Sequence, residues 1–416
     1  MKRRAFLLGG LLLAACFAKG AYGQLRPVAA PGAIPASSTG PSGFEADGYV
    51  YVAGQNARRA DGSLPGKFGE QVRGSLDKVK LAVEAAGLTM EHVVYLQVYL
   101  EDVSHLGELD EVFAGYFAKV PPARAVLGVA RNAGDSPVQM TAVAVRDLTG
   151  LHAVSPTDAA SSKSFSTGVL THDRLFVSAM PGIDPASGRV PADPAAQVDA
   201  ALDGLTAVLK AAGLTRDHMV FVNPYLTSAV PMRVMNERYA RRFEFGNTPA
   251  RATIQVSALP EGAQIAYTGV AVLDITRRRA IRPKNMAPSP TASPCVFAGD
   301  TLYCSAKSGF IPGSNGGIYM AETANQTRQT MRNLLDNLEE ADMNFDHVVF
   351  TTIYLDDLTE SAAFHAVYKK YFKGSLPAET TLQQIAPGDR KADPEGQYPT
   401  LEQMSLIAVR SHPQTP

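Results

Sequence analysis

Apolar residues along this chain fall into two alternating rhythms. In "EQVRGSLDKVKLAVEAAG" (70–87) they recur in steps of three and four, at Val72, Leu76, Val79, Val83 and Ala86. That spacing predicts a helix with one apolar face, stopped by Gly87. Upstream, "FEADGYVYVAG" (44–54) has the period of two expected of strands, around an Asp47-Gly48 turn, and predicts a hairpin. Downstream follow a strand over His92–Leu100, a second helix in "LGELDEVFAGYFAK" (106–119), and two strands around "PPARAVLGV" (121–129) and "QMTAVAV" (139–145). The order is ββαβαββ.

The same order occurs three times. "VEAAGLTMEHVVYLQVYL" (83–100), "LKAAGLTRDHMVFVNPYL" (209–226) and "LEEADMNFDHVVFTTIYL" (338–355) align without gaps, so the repeat is a whole domain of roughly 125 residues and not a solenoid turn. Val198, Leu202, Leu205, Leu209 and Ala212 repeat the first helix, as do Met331, Leu334, Leu338 and Ala341; Gly213 repeats its stop. Two helices on one face of a mostly antiparallel sheet make an α+β unit. We expect domains at 41–150, 160–276 and 288–412. Low-complexity linkers are expected at 24–40 and around "LHAVSPTDAASS" (151–162) and "RRRAIRPKNMAPSPTASP" (277–294). The basic run Arg277–Arg279 is read as solvated linker in preference to a nucleic-acid patch.

Composition adds two restrictions. Hydrophobic residues at 45% and charged ones at 19% suit a folded globular chain of 416 residues. A formal net charge of −1 supplies no field for unselective nucleic-acid binding. The opening, "MKRRAFLLGGLLLAACFAKGAYGQ", has a basic start and an apolar run shorter than a membrane span, which predicts an export signal over 1–23. Its paired arginines resemble a twin-arginine signal. Cleavage after "AYG" and lipidation at Cys16 in "LAAC" both remain open, and both place the mature protein in the periplasm or on a membrane anchor. With Cys16 removed, Cys295 and Cys304 are left. A two-residue turn at Gly299-Asp300 would set them opposite each other at a non-hydrogen-bonded position, about 4.5 Å apart at Cα, within disulfide range. The alternative is a pair of buried thiols.

"VSAMPGIDPASGRVPADPAAQ" (177–197), "MNERYARRF" (235–243) and "TPARATIQVSALP" (248–260) closely resemble the RidA/YjgF family of reactive-intermediate enamine/imine deaminases, and the similarity spans nearly all of each unit. The resemblance implies the RidA-like, chorismate-mutase-like fold. It also implies that three units in one chain form a tethered pseudo-trimer with ligand clefts between units. In the family the arginine of the Pro-Ala-Arg segment holds a substrate carboxylate, to which its planar fork is suited. That role is carried to Arg251 and Arg124, whereas Glu379 in "LPAETTLQQ" (376–384) would repel a carboxylate. Ser178 matches the pocket serine, Phe165 an aromatic wall and Asn236 a polar position on the second helix; Ala179 and Thr253 flank them as substrate contacts. The first unit departs with Ala53 and Asp110, and the third with Lys307 and His365.

A glutamate of the family's last strand is replaced by Thr141, Thr268 and Ser405, hydroxyls that position water but are poor bases. We expect Thr268 to join Arg251, Arg124 and Ser178 in catalysis. His92, His218 and His347 lack companion ligands and are read as structural. No metal, organic cofactor or nucleic-acid partner is expected, and the membrane is met only through the signal or a lipid anchor. The expected activity is hydrolysis of small 2-imino or enamine acids to 2-keto acids and ammonia. The alternatives are a non-catalytic carboxylate-binding or envelope scaffold protein and, least favoured, a ribonuclease.

Overall fold

The computed structural model describes residues 25–37, 40–117, 119–156, 162–284, 286–313, 316–385 and 388–410. The export signal, Cys16 and the end of the third expected domain lie outside them. Each long helix forms where the three-and-four rhythm runs: α1 is Phe68–Ala85, α3 Pro194–Ala211 and α5 Thr323–Glu340. Short helices α2 (Leu106–Phe113), α4 (Met232–Ala240) and α6 (Ser361–Tyr368) follow in turn. The apolar stripe of α1 (Val72, Leu76, Val79, Val83) is wholly buried, each such side chain contributing about 1.5–3 kcal/mol. Gly87 and Gly213 end their helices at φ 76° and 74°. Asp342 takes the same left-handed place in the third copy at φ 57°, which an aspartate tolerates better than most side chains.

In each unit the helices cover one face of a sheet. In the first, the strands lie in the order 26–28, 43–46, 49–56, 138–145, 93–100, 123–128, all antiparallel except the last pair. The second and third units repeat this, with parallel edges at 250–251 and 254–255, and at 378–383. The outermost strand in each case comes from a stretch read as linker: Arg26–Val28, His152–Val154 and Arg278–Ile281 pair with the first strand of the following hairpin. The expected linkers at 24–40, 151–162 and 277–294 are therefore partly sheet. Val28, Ala30 and Ala33 join the first core, and apolar anchors this sparse give no strand rhythm to read. The Arg277–Arg279 run is likewise engaged, with Arg278 donating to the Met219 carbonyl at 2.8 Å and Arg279 lying over Phe297 at 4.6 Å.

The three units close on one another through three junctions. Ser166 bridges Ala123 and Ala258 bridges Gly128 between units one and two. Arg251 meets Ser305 between two and three. Strand 378–383 pairs with Arg131–Asn132 between three and one. Where the three hairpins converge, the fully buried Arg174 donates to Asp47 at 2.7 Å, Thr301 at 2.9 Å and Tyr303 at 3.2 Å. Residues in matching positions of all three units line one central cavity of about 90 Å³: Tyr51, Phe176 and Tyr303 in one layer, Thr141, Thr268 and Ser405 in another.

Two local features bear on function. Cys295 and Cys304 face each other across their ladder, and their sulfurs are bonded with Cα atoms 4.0 Å apart. His92, His218 and His347 each accept the backbone N–H of the cap residue three before, closing a capping box, which accounts for all three as helix-to-strand fasteners.

Candidate functional site

The second strand of each hairpin slips register against the last strand, between Val52 and Gln55, Val177 and Met180, and Cys304 and Lys307. Such a slip re-aims side chains. Here it turns Ala53-Gly54, Ser178-Ala179 and Ser305-Ala306 towards the edge of the preceding unit, with the third preceding the first around the ring. Each cleft is thus composite: the strand with the Pro-Ala-Arg or Pro-Ala-Glu segment comes from one unit and the slipped strand from the next.

Between units two and three, the Arg251 backbone N–H donates to Ser305 Oγ at 2.8 Å, and that hydroxyl donates to the Ser293 carbonyl at 2.6 Å. The serine's one proton is therefore engaged, and it acts as a clasp between units. The half-buried guanidinium donates through Nη1 to Asn236 Oδ1 at 2.8 Å and lies over the Tyr239 ring at 5.2 Å. Among the described residues it has no carboxylate partner. Burial pulls its pKa down, without threatening its charge. Thr253, two residues on, has a buried hydroxyl with no hydrogen-bond partner among the described residues. With Arg251, Ser305, Lys307 and Gln403 it lines a cavity of about 260 Å³.

Between units one and two the same parts carry different charges. Arg124 is 6% exposed, its N–H donates to Ser178 Oγ at 2.7 Å, and Ser178 donates to the Ser166 carbonyl at 2.6 Å. Its guanidinium is clamped between the Phe113 and Phe165 rings, 5.0 and 4.9 Å away, and pairs with Asp110 at 2.7 Å. Where Arg251 has a neutral asparagine, Arg124 has a carboxylate. Glu261 adds a second negative charge to a cavity of about 150 Å³ walled by Val126, Leu259, Ala263 and Ala266.

The third junction inverts the pair. Glu379, buried on its strand, lies 2.9 Å from Nε2 of His365 on α6. His365 Nδ1 donates to the Ser361 carbonyl at 2.7 Å, and its Nε2 shares a hydrogen bond with Glu379 Oε1, joining strand to helix. A side chain at Gly54 would meet Thr380 Oγ1 at 2.7 Å and Gln139 Nε2 at 3.0 Å, so this junction is packed where the other two are open.

The structure therefore divides the residues expected to act together in the middle unit. Ser178, Ala179 and Phe165 join Arg124; Asn236 and Thr253 join Arg251. Thr268 joins neither: it lines the central cavity and lies 3.2 Å from the Tyr95 hydroxyl. The structure sets it apart from both arginines by its place along the strand: Ala266, two residues earlier on the same face, lines the Arg124 cavity, and Thr268 lies further on, in the central one. Tyr239, beneath Arg251, escaped the sequence reading, although its alignment with Phe113 and Tyr368 marks it as one face of the clamp. No group of His, Cys, Asp and Glu suited to a metal occurs among the described residues.

A family model described as Endoribonuclease L-PSP, that of the RidA/YjgF proteins, matches the chain three times, over 33–146, 156–273 and 284–386. The chain belongs to the RidA/YjgF family. A 2-iminobutanoate/2-iminopropanoate deaminase of Rattus norvegicus is 38% identical over 110 residues, 26% of this chain and 80% of that protein. Protein DfrA of Myxococcus xanthus is 41% identical over 96 residues, 21% of this chain and 72% of its own. The crystal structure of a chorismatase covers 77% of this chain and 93% of its own, with a TM-score of 0.50 and 12% identity, a likeness of fold alone. Within this RidA-family chain the single-unit relatives correspond to one repeat each, so the differences among its three clefts are internal to one molecule.

Proposed function

We propose that this RidA-family protein hydrolyses small 2-imino or enamine acids to 2-keto acids and ammonia, and that the Arg251 cleft is its working site. The observation that carries this reading is the Arg251 guanidinium, oriented by Asn236, seated over Tyr239 and without a carboxylate partner among the described residues. A ligand carboxylate would complete it bidentately. The Thr253 hydroxyl, buried and without a hydrogen-bond partner among the described residues, would hold the imine nitrogen or the attacking water. Water adds to the carbon of the protonated C=N bond. The resulting carbinolamine passes a proton from oxygen to nitrogen, and as the nitrogen leaves it also takes up the hydroxyl proton, so the products are the keto acid and ammonium. This bond is already electrophilic when protonated, so positioning and charge supply most of the help required.

The Arg124 cleft is disfavoured for the same substrate, since Asp110 already neutralises its guanidinium. A second reading, carboxylate binding without turnover, is favoured by the absence of a carboxylate base among the described residues that line the Arg251 cavity. Export remains part of the proposal on the evidence of the N-terminal pattern, and the Cys295–Cys304 bond suits an oxidising compartment.

Ammonia release from enzymatically generated 2-iminopropanoate tests the reading. Wild type should exceed the uncatalysed rate, Arg251→Ala should lose about a hundredfold or more in kcat/KM, and Arg124→Met should retain most activity. Release no faster than in buffer would leave only the binding reading.

A further inference from the structure

The Arg251 cavity holds a second cation that its site chemistry has not used. Lys307 lies on the slipped strand of unit three, two residues beyond the Ser305 clasp, and lines the same cavity from the opposite unit. It has neither a hydrogen-bond acceptor nor an ion-pair partner among the described residues. Among the described residues no aspartate or glutamate lines this cavity, whereas the matching Arg124 cavity contains Asp110 and Glu261. The positions that correspond to Lys307 are Gln55 and Met180 in the other units, so of the three matching positions this one alone carries a charge.

Among the described residues the Arg251 guanidinium is met only by neutral groups such as Asn236 Oδ1 and the Tyr239 ring, and the Lys307 ammonium has lost hydration that none of them replaces. Burial accordingly pulls the Lys307 ammonium below its usual range. A ligand with two separated negative charges relieves both costs, whereas a monocarboxylate relieves one.

We propose that the Arg251 cleft selects a 2-imino dicarboxylic acid, its 1-carboxylate on Arg251 and its distal carboxylate on Lys307. This rests on the deaminase reading of the same cleft. Lys307 is then a specificity residue that touches the substrate away from the reacting carbon. Gln403, which donates to Gln384 Oε1 at 2.9 Å, walls the cavity beside it.

Two measurements on the full chain separate the selection from the activity. Ammonia release is followed with 2-iminopropanoate and 2-iminoglutarate, generated in place from alanine and glutamate by amino-acid oxidases. Calorimetry follows binding of the corresponding products, pyruvate and 2-oxoglutarate. Wild type should prefer 2-iminoglutarate by about tenfold or more in kcat/KM, the worth of one charge-assisted contact. Lys307→Met should abolish that preference by lowering only the dicarboxylic rate, and Lys307→Arg should keep it. An unchanged ratio in Lys307→Met overturns the proposal, as does an equal loss on both substrates, which would assign the lysine to the shared chemistry. Lys307-dependent binding of 2-oxoglutarate without ammonia release from either imine would sustain the dianion site and remove the deaminase reading. Failure of 2-oxoglutarate to bind, with 2-iminopropanoate still hydrolysed, would remove the dianion site and leave the activity.

Discussion

Arg124 and Arg251 stand at the same place in the repeat, and their neighbours give them different work. Arg124 is closed in by two aromatic rings and a carboxylate, so its removal should be felt in stability. Arg124→Met is expected to cost about 1–3 kcal/mol, below the range for a fully buried pair because Asp110 is partly exposed, as read from the denaturant midpoint. Another residue-scale expectation concerns Glu402, whose buried carboxyl accepts from Thr330 Oγ1 and whose pKa burial pushes up to about 8. The native state keeps this proton where the unfolded chain has released it. Stability should therefore fall as pH rises from the ordinary glutamate range to about 8, by at most about 1.4 kcal/mol per pH unit from this group. Glu402→Gln should flatten that fall in urea titrations at several pH values; an unaltered slope would mean that the group ionises freely in the fold.

At the scale of elements, helices and hairpins were legible because their signals are local. A three-and-four rhythm stopped by Gly87 or Gly213 needs no tertiary information. The Gly299-Asp300 turn likewise sets the register of Cys295 against Cys304. Peptide mapping without reduction should recover these two cysteines in one linked species, and replacing both by serine should cost about 2–3 kcal/mol for so short a loop; two separately alkylated cysteines would contradict the bond. The edge strands Arg26–Val28, His152–Val154 and Arg278–Ile281 were not legible. Each is three or four residues long and gains its partner only when the next hairpin presents an open edge. The register slips beside Ser178 and Ser305 were hidden too, since a slip is a relation between strands and leaves no periodic mark on either one.

For the whole molecule the decisive contact is Arg174, fully buried, with Asp47 of the first unit on one side and Thr301 and Tyr303 of the third on the other. Arg174→Met leaves Asp47 facing a low-dielectric junction and should cost about 3–5 kcal/mol. Because the arginine ties three units, chemical unfolding of the variant should also lose cooperativity and separate into more than one transition; a single transition at the wild-type midpoint would show that the units are held by other means. What the chain determined by itself was the threefold repeat, the α+β unit, and the list of matching positions at which arginine gives way to glutamate and asparagine to aspartate or histidine. Which serine serves which arginine was decided only when the units met, as was the place of Thr268 in the central cavity, the neutralisation of Arg124 and the convergence of Lys307 with Arg251. The reason is physical: periodicity records what a residue needs from its own element, whereas a composite cleft depends on how one unit's sheet edge meets the slipped strand of the next.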